Sequence, residues 1–205
     1  MKKVSIVLMI LALTALLSGV SMAEITGSDH DFSGSGWSGG EICKPCHTPH
    51  HADTTVAGAP LWNHEVTTST FTLYSSLTLD ATDLGQPDGV SKLCLSCHDG
   101  TVAIDSFGGA TGSTMISGDA LIGTDLSDDH PISFTYDDAL ATTDGGLHPP
   151  STATTSLGGT IQDDLLFGNK VECSSCHDVH NSHNNEKLLN IANASSALCL
   201  TCHNK

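Results

Sequence analysis

The sequence predicts a chain that is mostly loop, with short helices and few strands, wrapped around covalently attached cofactors instead of a large side-chain core. Three observations predict it. All eight cysteines fall in C-x-x-C pairs, and each pair is followed at once by a histidine. Aromatic side chains are too scarce for a conventional core, with two Trp, two Tyr and five Phe in 205 residues. Glycine and aspartate clusters punctuate the whole stretch from Gly108 to Gly168, which reads as long loops.

The elements follow in order. Residues 1–23 read as a secretory signal peptide: Lys2 and Lys3 are the charged start, Val4 to Leu17 the apolar run, and Ser21-Met22-Ala23 the cleavage site. The run is shorter than a membrane span needs, and no later stretch is apolar enough to be one. Residues 24–205 then form one exported domain. Its Gly/Ser-rich run SGSGWSGG, Ser33 to Gly40, predicts a flexible arm. FTLYSSLTL, Phe71 to Leu79, alternates like a strand. Short helices are expected around each C-x-x-C-H motif and across NEKLLNIANASSALCLTC, Asn185 to Cys202.

The pairs are Cys43/Cys46, Cys94/Cys97, Cys173/Cys176 and Cys199/Cys202, and the following histidines are His47, His98, His177 and His203. With 12 histidines in the chain, four such coincidences by chance come to about 1 in 10⁵. C-x-x-C-H is the attachment signature of c-type haem: two thiols form thioethers with the porphyrin, and the adjacent imidazole binds the iron. Paired C-x-x-C units also build Cys₄ zinc sites, but zinc gives no reason for the four histidines. Disulfides, the usual fate of cysteine in an oxidising compartment, leave them unexplained as well. The fold class is therefore a multihaem cytochrome c, with four covalent haems and no spare thiol.

The sixth ligand separates an electron carrier from a catalyst, because an open iron position binds substrate and a filled one does not. Methionine is nearly excluded: Met1, Met9 and Met22 lie in the signal peptide, which leaves Met115. Histidine is plentiful. His30, His50, His64, His130 and His180 are the distal candidates, while His51, His148 and His183 rank below them. The chain also repeats itself. CKPCHTPHH and CSSCHDVHNSH both begin C-x-x-C-H-x-x-H, and KLCLSCH and ALCLTCH each close a pair. Two two-haem units result, about residues 41–98 and 171–203, in which His50 and His180 are expected to ligate the partner haem of a stacked pair.

Charge adds a global constraint. All 23 acidic residues lie beyond residue 23, against five lysines and no arginine there. Nucleic acid and anionic membrane surfaces are poor partners for such a chain, and basic redox proteins are suitable ones. DLSDDH and DGTVAIDSFGG are acidic but lack the EF-hand calcium spacing.

The phrases SDHDFS, CKPCHTPHHA, PLWNH, SKLCLSCHDGTVAIDSFGG, DLSDDHPISF and CSSCHDVH…LCLTCH, in that order, resemble the tetrahaem OmcE-type cytochromes of metal-reducing bacteria. The resemblance covers most of the chain after residue 23. It implies an extracellular conductive filament of identical subunits, with haems stacked along each subunit and across subunits towards external electron acceptors. It also implies that one subunit lends a histidine to its neighbour's haem, a role expected of His30 on the predicted arm. The five distal candidates exceed the four irons by one. Two other classes remain: a monomeric periplasmic tetrahaem shuttle, and a multihaem reductase. The reductase reading needs an open haem, often marked by C-x-x-C-K, which does not occur in this sequence. An electron carrier that is not an enzyme is the expectation.

Overall fold

The computed structural model describes residues 25–204. The signal-peptide assignment lies outside them. Among the described residues five short α-helices, α1 (Gly89–His98), α2 (Asp138–Asp144), α3 (Ile161–Asp164), α4 (Cys173–Cys176) and α5 (Ala197–Cys202), stand among long irregular segments. One antiparallel ladder joins β1 (Phe134–Thr135) to β2 (Lys170–Val171), in the register Phe134↔Val171. Among the described residues no helix is long and apolar enough to cross a membrane.

The side-chain core sits where only loops were expected. Phe134, Tyr136, Ala141, Ile161 and Val171 form one buried cluster.

 The second cluster is Phe71, Leu95 and Leu126, with Leu73 and Ile132 packed against it. The expected loop stretch therefore supplies β1, α2 and α3. The N-cap Asp137 accepts from Leu140 N at 2.8 Å, and Gly145 closes α2 in the left-handed conformation at φ 71°. Tyr136 ties the first cluster to the last motif: its hydroxyl donates to His148 O at 2.6 Å, and Cys202 O lies at 3.3 Å.

Three other expectations are corrected. FTLYSSLTL forms no strand beyond a single bridge, Thr72↔Asp125. The Gln86 side chain takes the place of a neighbouring strand, accepting from Phe71 N at 2.8 Å and donating to Phe71 O at 3.0 Å. Asn185 to Cys202 is not one helix: left-handed Lys187, Leu188, Ser195 and Ser196 break it into two 3₁₀ turns and α5. The Gly/Ser-rich arm is folded. Phe32–Gly34 is a 3₁₀ turn capped by Asp31, Ser38 is fully buried, and Trp37 packs between Phe32 and Phe107 at ring separations of 5.1 and 5.9 Å.

Two motifs are locked together by one carboxylate. Asp88, at the N-cap of α1, makes no side-chain capping bond. The buried Glu172, at the N-cap of α4, reaches across instead and accepts from Ser91 N at 3.2 Å, from Ser91 Oγ, and from Ser133 Oγ at 3.1 Å. Burial lifts its pKa above the usual carboxylate range against the pull of those donors. A carboxyl with a raised folded pKa contributes stability that is present below the unfolded value, about 4.5, and lost as pH rises through the folded one. Glu172→Ala should cost about 2–4 kcal/mol in denaturant unfolding at neutral pH, and Glu172→Gln should weaken the pH dependence of the midpoint.

Candidate functional site

The first and third motifs are built on the same frame. Cys43 to His47 is a single turn rather than the expected helix, closed by His47 N donating to Cys43 O at 2.8 Å; His177 N donates to Cys173 O at 3.0 Å in α4. A later segment then folds back on each. Thr48 N donates to Leu61 O at 2.9 Å, and Asp178 N to Leu188 O at 2.7 Å. Asn63 N and Asn190 N donate to Cys46 O and Cys176 O, and their side-chain amides donate to Lys44 O and Ser174 O, at 2.6 and 2.8 Å. Both leucines are left-handed, at φ 52° and 57°, a conformation that costs about 1–2 kcal/mol for a residue with a Cβ. PLWNH and KLLNI are thus one repeated strap. The shared L-x-N was legible in the sequence and was the missed signal.

The strap sets the histidine tautomer. A backbone carbonyl only accepts, so the ring nitrogen facing it carries the proton. His47 Nδ1 donates to Pro60 O at 2.6 Å, His98 Nδ1 to Ala120 O at 2.7 Å and His177 Nδ1 to Lys187 O at 2.9 Å. Each Nε2 is left with its lone pair, the form that binds a metal. His130, outside the motifs, is held the same way by Pro131 O at 2.9 Å.

Three motif histidines face a second imidazole. Ring centroids are 6.2 Å apart for His47 and His180, 6.0 Å for His98 and His30, and 6.3 Å for His203 and His130. Two imidazoles on opposite sides of one metal, each bonded at ~2 Å, have centroids about 6 Å apart. Burial, then the neighbouring His98, lowers the pKa of His30, which keeps that ring neutral and able to ligate. His30, expected on an arm reaching to a neighbouring subunit, lies against His98, a motif histidine of its own chain. His180 faces the first motif, in the other unit. His64 is buried against the second motif, with Nδ1 2.8 Å from Glu65 O, and Nε2 3.0 Å from Ala103 O and 3.5 Å from Cys97 Sγ. It occupies the place of the buried Ile191 in the repeated strap. His50 and His177 are exposed, and His177 lies near enough to His30 to help lower its pKa without the two rings pairing.

No two of the eight cysteines are joined by a disulfide. Burial pushes Cys46 and Cys202 up to about 11 and Cys97 up to about 12, with neighbouring cysteines adding to each shift. Those neighbours run in sequence order: Cys46 beside Cys97, Cys94 hydrogen-bonded to Cys173, and Cys176 beside Cys199 and Cys202. The four motifs therefore follow one another through the molecule.

The residues present fit a covalent porphyrin. Apolar side chains stand exposed next to the motifs: Leu61 at 59%, Leu121 and Ile122 at 45% each beside His98, and Leu200 at 45% in α5. Two buried nitrogens, His30 Nδ1 and Trp62 Nε1, have no partner among the described residues. Among the described residues no group of three or more His, Cys, Asp or Glu converges as a metal cage would require. The cysteines would carry the thioethers, the motif histidines the iron, and the bound haem would supply one-electron ferric/ferrous chemistry.

Residues 167–205 match the family model of the doubled CXXCH motif. No curated protein matches the chain. The paired motif suggests a multihaem c-type cytochrome and points to covalent haem and electron transfer, in accord with a chain that is mostly loop around its motifs.

Proposed function

We propose that the chain transfers electrons through four covalent bis-histidine c-type haems, as the subunit of an extracellular filament that delivers electrons to external acceptors. The observation that carries this reading is the set of ring pairs: three motif histidines face a second histidine at the spacing of two axial ligands, while the fourth, His177, and the spare His50 are both exposed. A second copy supplying His50 to His177 would complete the set. His50 of one copy meeting His177 of the next is a heterologous contact, which propagates as a filament where the rotation between copies does not close. Filled axial positions also support a carrier in place of an enzyme.

A monomeric periplasmic shuttle is the second reading, favoured by the in-chain position of His30. Electron microscopy of the secreted, matured protein tests between them: filaments are expected, and a monomer at high concentration and salt would leave the shuttle. Low-temperature EPR tests the carrier reading. Only low-spin ferric signals are expected from the assembled protein, and a high-spin signal with rapid carbon monoxide binding after reduction would favour a reductase.

A further inference from the structure

We infer that the indole N–H of Trp62 donates a hydrogen bond to a propionate carboxylate of the porphyrin carried by Cys43, Cys46 and His47. The inference rests on the haem reading of that motif. Trp62 is bridged to His47 through the backbone, and its ring meets the His47 ring edge-on at 6.4 Å and 89°. Its Nε1 is buried and unpartnered. An indole N–H is a donor only, and leaving it unpaired when buried costs about 1–3 kcal/mol.

Among the described residues it has no acceptor. His47 Nδ1 is bonded to Pro60 O, and both nitrogens of His64, whose ring lies 6.3 Å from the indole, face other carbonyls. Packing does not demand an indole either, because the repeated strap carries Leu189 at the same place, bridged to His177 in the same way. What remains is an acceptor on the group seated at His47. In a porphyrin whose pyrrole nitrogens bind iron, the strong acceptors are the propionates. Cationic donors for them are scarce: beyond residue 23 the chain has five lysines and no arginine. Lys44, the lysine inside this motif, lies over the Phe107 ring at 5.9 Å. A neutral N–H donor is the device such an acidic chain has available for steadying a propionate.

The test uses the matured protein labelled with ¹⁵N. Its two tryptophans give two indole N–H resonances. The Trp62 resonance should exchange slowly with solvent and change with the oxidation state of one haem. Trp62→Phe removes the donor and keeps an aromatic ring, and Trp62→Leu copies the other strap. Either variant should retain its haem count and lower one reduction potential, raising the ferric:ferrous ratio at the original midpoint about threefold, with the others unmoved. Solvent-rapid exchange at Trp62 in the unmodified protein overturns the inference even if neither variant folds. So do unshifted potentials in a variant with full haem content. Absence of covalent haem from the unmodified protein would instead defeat the haem reading itself.

Discussion

His180→Ala should turn one iron, and one only, from low-spin six-coordinate to high-spin ferric, while intact mass still shows four covalent haems. The thioethers and the motif histidine are untouched by the substitution, so attachment survives. The ring lost is the one facing His47 at 6.2 Å. His180 is oriented from behind by Asp178, whose Oδ1 accepts from the His180 backbone N at 2.9 Å and lies 3.7 Å from ring Nδ1. The backbone hydrogen bond fixes the turn from which the imidazole projects. His30→Ala and His130→Ala should each produce the same change at a different haem, opposite His98 and His203. EPR should show one new high-spin signal per variant, and carbon monoxide should bind one reduced haem per variant. His64→Ala is the control. It should leave every iron low-spin while costing about 2–4 kcal/mol of stability, because a buried ring is removed and two carbonyls lose their neighbour. Low-spin irons throughout His180→Ala, or a high-spin iron in His64→Ala, would overturn the pairing.

The contrast between His64 and His180 shows what was legible in the sequence. The motifs are local: a C-x-x-C-H turn is closed by its own i→i−4 bond, so spacing alone identifies the cysteines and motif histidines. Distal partners are not local. His180 meets a histidine 133 positions away, and His30 one 68 positions away. PLWNH has the composition of a haem wall, but the strap assigns His64 the place of Ile191, a position decided by packing. The core was hidden for a similar reason. Phe134, Tyr136, Ala141, Ile161 and Val171 come from separate short elements among glycines and aspartates, so no window of sequence shows their shared face. In Phe71 to Leu79 the alternation was real, but no strand lies alongside it, and Gln86 satisfies the backbone instead.

His50→Ala should abolish filaments and leave one haem per subunit without its sixth ligand, with all four haems still attached. His50 stands three residues beyond His47, as His180 does beyond His177, so the repeat assigns the two the same task. His180 performs it inside the chain, against His47. The reciprocal contact, His50 with His177, is not made in the chain: both rings are exposed, and His177 is held by Lys187 O with Nε2 as its lone-pair nitrogen. An iron–imidazole bond between copies would fix their register more firmly than an acidic surface allows by itself. The repulsion of a chain with formal charge −16 opposes growth, so salt or divalent cations should speed assembly of the unmodified protein. They should not rescue His50→Ala, which lacks the bond and not the screening. His30→Ala should still assemble, since its ring serves His98 in its own subunit. Filaments of ordinary length from His50→Ala with every iron low-spin would sink this link. If the unmodified protein is a dilute monomer with all four irons low-spin, His50 closes on His177 within one chain, and the subunit is a shuttle.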